Sequence, residues 1–105
     1  LRDPDGEVRR SAVDGLGALG DRRAVPILIS ELLNKQGWVR APSATALGKF
    51  NDRRALGPLT TAVSDRDLYV RLNTAASLEK LTGQHLGRDP AAWQQWWSKQ
   101  EGARR

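Results

Sequence analysis

Apolar residues along this chain return at helical intervals, and the pattern of intervals itself repeats. Val8, Ala12, Leu16 and Leu19 are separated by four, four and three residues, the spacing that lines one face of a helix. The stripe recurs 31 residues later as Val39, Ser43, Leu47 and Phe50, and again as Val70, Thr74, Leu78 and Leu81. Each valine is followed by an arginine (Arg9, Arg40, Arg71), and Leu1, Leu32 and Val63 stand seven positions before the valines. Shorter matches accompany the stripe: Gly17 with Gly48, Leu28 with Leu59, and Asp21-Arg22-Arg23-Ala24 with Asp52-Arg53-Arg54-Ala55. A fixed period of this kind marks stacked structural repeats.

Boundary residues predict two helices per repeat. Gly20 stands where a left-handed residue ends a helix, and Asp21 where a side chain caps the next. Asn51 and Asp52 repeat the device, asparagine being the usual substitute for glycine at a left-handed position. Helices are expected at about residues 7–19, 22–33, 37–50, 53–64, 68–82 and 90–100, an all-α chain. One hairpin cannot bury its apolar stripe alone, so neighbours must stack and share a core. Val8, Ala12, Leu16 and Leu19 are expected to face that core, and small residues at Ala12, Ser43, Ala44, Thr74 and Ala75 to let helices approach. Pro26 and Pro58 lie early in their helices, where a missing amide matters least. Pro42 falls about a turn into its helix, and is expected to bend or shorten it; the alternative is that it frees a carbonyl on a binding surface.

The repeat pattern stops after Leu81-Thr82-Gly83, and Asp89-Pro90 announces a further helix with a capping residue before proline. Trp93, Trp96 and Trp97 then fall on one stripe. They read as a cap that seals the last hairpin, or as a tryptophan-lined binding site. The organisation expected is about two and a half repeats over residues 1–82, then a connection and capping helix over 83–105.

These residues resemble HEAT repeats, and within them the short bacterial subclass first noted in phycobilin lyases. The resemblance covers about residues 1–82 and implies a right-handed α-solenoid of helical hairpins. It also implies a ladder between repeats, made by a loop Asp six residues before the Arg that follows Val. Asp3 with Arg9 and Asp65 with Arg71 match that spacing, whereas Asn34 with Arg40 departs from it and puts one rung in doubt. The stretch from Leu81 through Asp89-Pro90 to Trp96-Trp97 resembles the tail that closes many bacterial proteins of this class.

Composition narrows the function more than it names it. There is no cysteine, which removes disulfides, thiolate metal sites and cysteine nucleophiles, and makes a cytoplasmic location the default expectation. There is no methionine either, even at position 1, which reads as a piece of a longer protein cut at its N-terminal side. No apolar run approaches the roughly 18 residues of a membrane span. Net charge is +5, but Arg104 and Arg105 supply two of those charges, so the bias on the rest is mild. His85 is the single histidine and sits in a connection without a second ligand nearby, so neither metal nor cofactor is expected. The paired His-Glu motifs of HEAT-like deoxyhypusine hydroxylases are missing, and there is no phosphate-binding glycine loop. Asp14 and Glu79 could be imagined as acid and base, but carboxylates on a helical repeat are ordinarily solvated, and the chain is not expected to be an enzyme or to take a small-molecule substrate.

Binding is the expected role. With the stripe inward, helical geometry turns Arg10, Asp14 and Gly17 the other way, and their repeat equivalents are Ala41, Thr45 and Gly48, then Leu72, Ala76 and Glu79. The resemblance implies that this face is concave. A groove of Arg10, Asp14, Ala41, Thr45, Leu72, Ala76 and Glu79 suits a protein or peptide partner. The competing reading is nucleic-acid backbone on a basic ridge of Arg22, Arg23, Arg53 and Arg54, each pair partly offset by Asp21 or Asp52. A third is purely architectural, the end of a longer solenoid.

Overall fold

A computed structural model describes residues 4–103, with side chains from Val8 onward. Leu1, Asp3, Arg104 and Arg105, which entered the register, the ladder and the charge above, lie outside the described residues. The described chain forms α1 (Pro4–Leu19), α2 (Val25–Glu31), α3 (Gly37–Leu47), α4 (Leu56–Ala62), α5 (Leu68–Thr82) and α6 (Pro90–Ala103). A short 3-10 turn precedes α2 at Arg22–Ala24 and α4 at Arg53–Ala55. These turns make α2 and α4 shorter than their apolar patterns suggest.

The aspartates do what their positions predict. Asp21 and Asp52 each accept a hydrogen bond from the backbone amide two residues on, at 2.9 Å, starting the turn that leads into the next helix. Asp67 caps α5 through the amides of Tyr69 and Val70, and Asp89 caps α6 through that of Ala91. Gly20 and Gly83 adopt the left-handed conformation after α1 and α5, with φ of 70° and 74°. Asn51 does not, contrary to expectation. Its helix stops earlier, and the amides of Gly48, Lys49 and Phe50 each bond the carbonyl three residues back, so the chain unwinds without a left-handed residue. The three residues missing from α3 are therefore lost at its C-terminal end, while the helix continues through Pro42.

Two layers result. Helices α1, α3 and α5 stack side by side in one, and α2, α4 and α6 form the other, with α2 against α3, α4 against α5, and α6 on α4. Leu28, Leu32, Leu59 and Val63 from the second layer meet Val39, Leu47, Phe50 and Leu78 from the first, forming one core. Contact within the first layer is close. A Cβ on Gly48 would lie 2.9 Å from the Ser77 Cβ, and the Ser77 hydroxyl donates to the Ala44 carbonyl at 2.6 Å. The hydroxyl of Ser43 bonds Val39 O, whereas that of Thr74, at the same repeat position, is buried without a hydrogen-bond partner.

Helix α1 departs from the expected core. Val8, Ala12 and Leu19 are exposed, and α1 meets α3 instead through Val13, Leu16 and Gly17. The reason is a missing neighbour: α2 and α4 cover the equivalent stripes of α3 and α5, and no described helix covers that of α1.

Candidate functional site

The surface of α1, α3 and α5 that faces away from the second layer carries a groove of about 420 Å³. Helix α1 supplies Arg10 and Asp14, α3 supplies Trp38, Pro42 and Thr45, and α5 supplies Tyr69 and Asn73, with Lys49 just beyond the end of α3. A shallower hollow of about 300 Å³ adjoins it, sharing Thr45, Lys49 and Asn73 and adding Ala76 and Lys80.

Of the residues singled out from the sequence, Arg10, Asp14, Ala41 and Thr45 line the groove and Ala76 lines the hollow. Leu72 and Glu79 line neither. Ala41 is only 6% exposed, because α5 packs on it and the Asn73 amide donates to its carbonyl at 3.3 Å. Leu72 holds the same repeat position on α5 but is 39% exposed, since no described helix packs on α5 there. Glu79 replaces Gly17 and Gly48, the two glycines that admit a neighbouring helix, and instead accepts the Gly87 amide at 3.1 Å. Sequence reasoning passed over Trp38, Tyr69, Lys49 and Lys80. The same 31-residue comparison was the signal available, because Trp38 matches Tyr69 and Lys49 matches Lys80.

The ladder exists in a shifted form. Arg40 is buried; its Nε and Nη2 reach both carboxylate oxygens of Asp65 at 2.9 Å, while its Nη1 donates to the Asn34 and Lys35 carbonyls. Burial pushes the Asp65 carboxyl up, but the Arg40 fork and the Asp67 amide outweigh it and hold the group below its ordinary value. Arg71 keeps the carbonyl contact, to Asp65 O at 2.9 Å. Arg40 thus takes carbonyls from its own repeat and a carboxylate from the next. The rung that Asn34 alters is therefore the one from Arg9, not from Arg40. Arg9 turns to Glu31 at 3.0 Å, and the Asn34 amide leans on the same carboxylate.

The basic ridge is largely engaged. Arg23 pairs with Asp21 at 2.6 Å, Arg54 with Asp52 at 2.7 Å, and Arg22 crosses to Asp52 of the next repeat at 3.3 Å. Arg53 forms no ion pair among the described residues. Asp52 is buried, and the Arg54 guanidinium, helped by the Arg54 amide and Arg22, overcomes that burial and holds its carboxyl far below the usual range. Arg23 lowers the exposed Asp21 in the same direction.

The tryptophans turn inward. Trp93 is fully buried, its indole N–H donating to Gly87 O at 2.7 Å, and Trp96 meets it edge to face with centroids 6.0 Å apart. Trp97 lies over Gly57 of α4, where a Cβ would approach its ring to 3.3 Å. His85 is exposed in the connection. Among the described residues no three His, Cys, Asp or Glu side chains converge to hold a metal, and no helix is long and apolar enough to cross a membrane.

The profile of one family, HEAT repeats, matches residues 1–79, more than half of the chain. Repeats of that family commonly mediate protein interactions and are generally non-catalytic scaffolds. No curated protein matches the chain.

Proposed function

The chain belongs to the HEAT-repeat family, and we propose that it is a non-catalytic scaffold that binds a protein or peptide partner on the face formed by α1, α3 and α5. The observation that carries this reading is the groove itself. It is open, lined by the partly exposed rings of Trp38, Pro42 and Tyr69, and edged by Arg10, Asp14 and Lys49. Aromatic rings beside polar groups are what protein-binding surfaces are enriched in. The same reading takes the repeats as the short phycobilin-lyase-like kind, on their period and their Val-Arg pairs, with no bilin chemistry implied. It includes a right-handed superhelical course and α6 as the C-terminal cap. The cap is supported by the inward tryptophans and by the exposed polar residues Gln94, Gln95, Ser98 and Lys99. Nucleic acid on the ridge is the weaker reading, because Arg22, Arg23 and Arg54 already face carboxylates.

Peptides selected from a random display library against the full chain test the assignment. Thr45 is exposed in the middle of the groove, and Thr45→Trp fills it. Selected ligands should lose about tenfold or more in affinity, the equivalent of one well-placed contact. Ligands that bind Thr45→Trp unchanged, but lose affinity when Arg53 is reversed in charge, overturn the concave-face assignment.

A further inference from the structure

The groove carries two matched rows. Trp38 and Tyr69 stand at the same repeat position near the starts of α3 and α5, and Lys49 and Lys80 stand at the same position near their ends. All four line the joined groove and hollow. Within each row the members are one helix spacing apart, about 8–10 Å for packed helices, and the close approach at Gly48 keeps α3 and α5 tightly packed. Eleven residues separate the rows, about 16 Å along α5 at 1.5 Å per residue. A ligand that serves both rows must therefore lie across the helices and present the same chemistry once per helix spacing.

A polyproline II segment has that repeat. Three residues make one turn and advance about 9.3 Å, so positions i and i+3 point the same way. A β-strand does not, because residues three apart face opposite sides. The aromatic row, with Tyr69 exposed and Trp38 half-buried, supplies the residue type on which such helices dock. The opposite row is cationic, and among the described residues neither Lys49 nor Lys80 forms an ion pair. Between the rows, Asn73 spends its amide on Ala41 O and keeps its side-chain oxygen as an acceptor for a ligand N–H. We infer that the partner of this face is an extended, proline-rich segment in the polyproline II conformation, with a carboxylate at every third residue to meet Lys49 and Lys80. The footprint ends at α3, since on α1 the register positions hold Glu7 and Ala18 and Asp14 adds a negative charge to that side.

The inference rests on the concave-face reading and is tested apart from it by fluorescence polarisation of the full chain with three labelled peptides. They are four Glu-Pro-Pro triplets, four Lys-Pro-Pro triplets, and four Glu-Gly-Gly triplets with the same charge as the first but no preformed helix. The Glu-Pro-Pro peptide should bind tightest, and Lys49→Glu with Lys80→Glu should weaken it by roughly tenfold while leaving the melting temperature in place, both side chains being exposed. Tyr69→Ala should weaken it as well. Equal binding of Lys-Pro-Pro, or indifference to the lysine reversals, overturns the acidic ligand; equal binding of Glu-Gly-Gly overturns the polyproline conformation. No binding by any of the three overturns the inference, while display-selected ligands that still depend on Thr45 keep the concave-face reading standing.

Discussion

Val8 of α1 and Val39 of α3 occupy one position in successive repeats, yet Val8 is 69% exposed and Val39 is fully buried. Leu19 and Phe50 repeat the contrast at 78% and 4%. The two helices carry the same stripe; what differs is the presence of a helix in the second layer to cover it. Burial in a stacked repeat is a property of neighbours. The same logic acts at the other end, where Leu72 and Glu79 stand free of the helix contact that buries Ala41 and Gly48.

The largest test of this contrast is to place a charge on each helix. Val39→Asp buries an unpaired carboxylate and should cost more than about 4 kcal/mol, enough to unfold a domain of this size. Val8→Asp should change stability by less than about 0.5 kcal/mol, as exposed substitutions do. Urea titrations of both variants read the difference, and comparable losses would mean that α1 is covered in solution.

Glycines sharpen the comparison at intermediate size. Gly48→Ala drives a methyl into Ser77 and should cost about 1–3 kcal/mol as the helices separate. Gly15→Ala, which meets no atom within 4 Å on exposed α1, should instead gain about 0.5–1 kcal/mol from helix propensity. Thermal melts of the pair should therefore move in opposite directions.

The smallest effect concerns the altered rung. Asn34→Asp gives Arg9 the carboxylate that Asp65 gives Arg40, and should add about 0.5–1 kcal/mol near neutral pH. The sign with pH follows from Asp65, whose folded pKa is depressed. Such a group contributes fully above the ordinary carboxylate pKa of about 4 and loses its contribution as pH falls through the lower folded value. The gain over the parent chain should thus be present at pH 7 and fade below about pH 4. A gain that persists in acid would show that Arg9 had not been recruited.

The fold was legible wherever one residue type decides a local geometry. Asp21, Asp52 and Asp89 are caps in sequence and in structure, Gly20 is left-handed, the 31-residue register locates α1 to α5, and Asp89-Pro90 announces α6. It was illegible where a neighbour decides. Val8 and Leu19 read as core because the stripe is the same on every helix, and Asn51 read as a left-handed cap because the pattern does not reveal that α3 unwinds three residues early. The site was half legible for a related reason. Rows of positions could be read from the period, but Asp14, Thr45 and Ala76 stand clear of the neighbouring helices, whereas Ala41 and Gly48 lie one position towards the next helix and are taken up by it.

The ion pairs also have a mechanical consequence. Between the first and second members of the α1, α3, α5 layer, the buried Asp52 is gripped by Arg22 at the turn edge, and among the described residues the ion pair at the loop edge is the exposed contact of Arg9 with Glu31. Between the second and third, the buried Arg40–Asp65 fork holds the loop edge, and Gly83 stands where a carboxylate would be needed to grip Arg53 at the turn edge. The two boundaries are hinges pinned on opposite sides. Load along the stack should therefore open the first boundary at its loop edge and the second at its turn edge, bending the two in opposite senses.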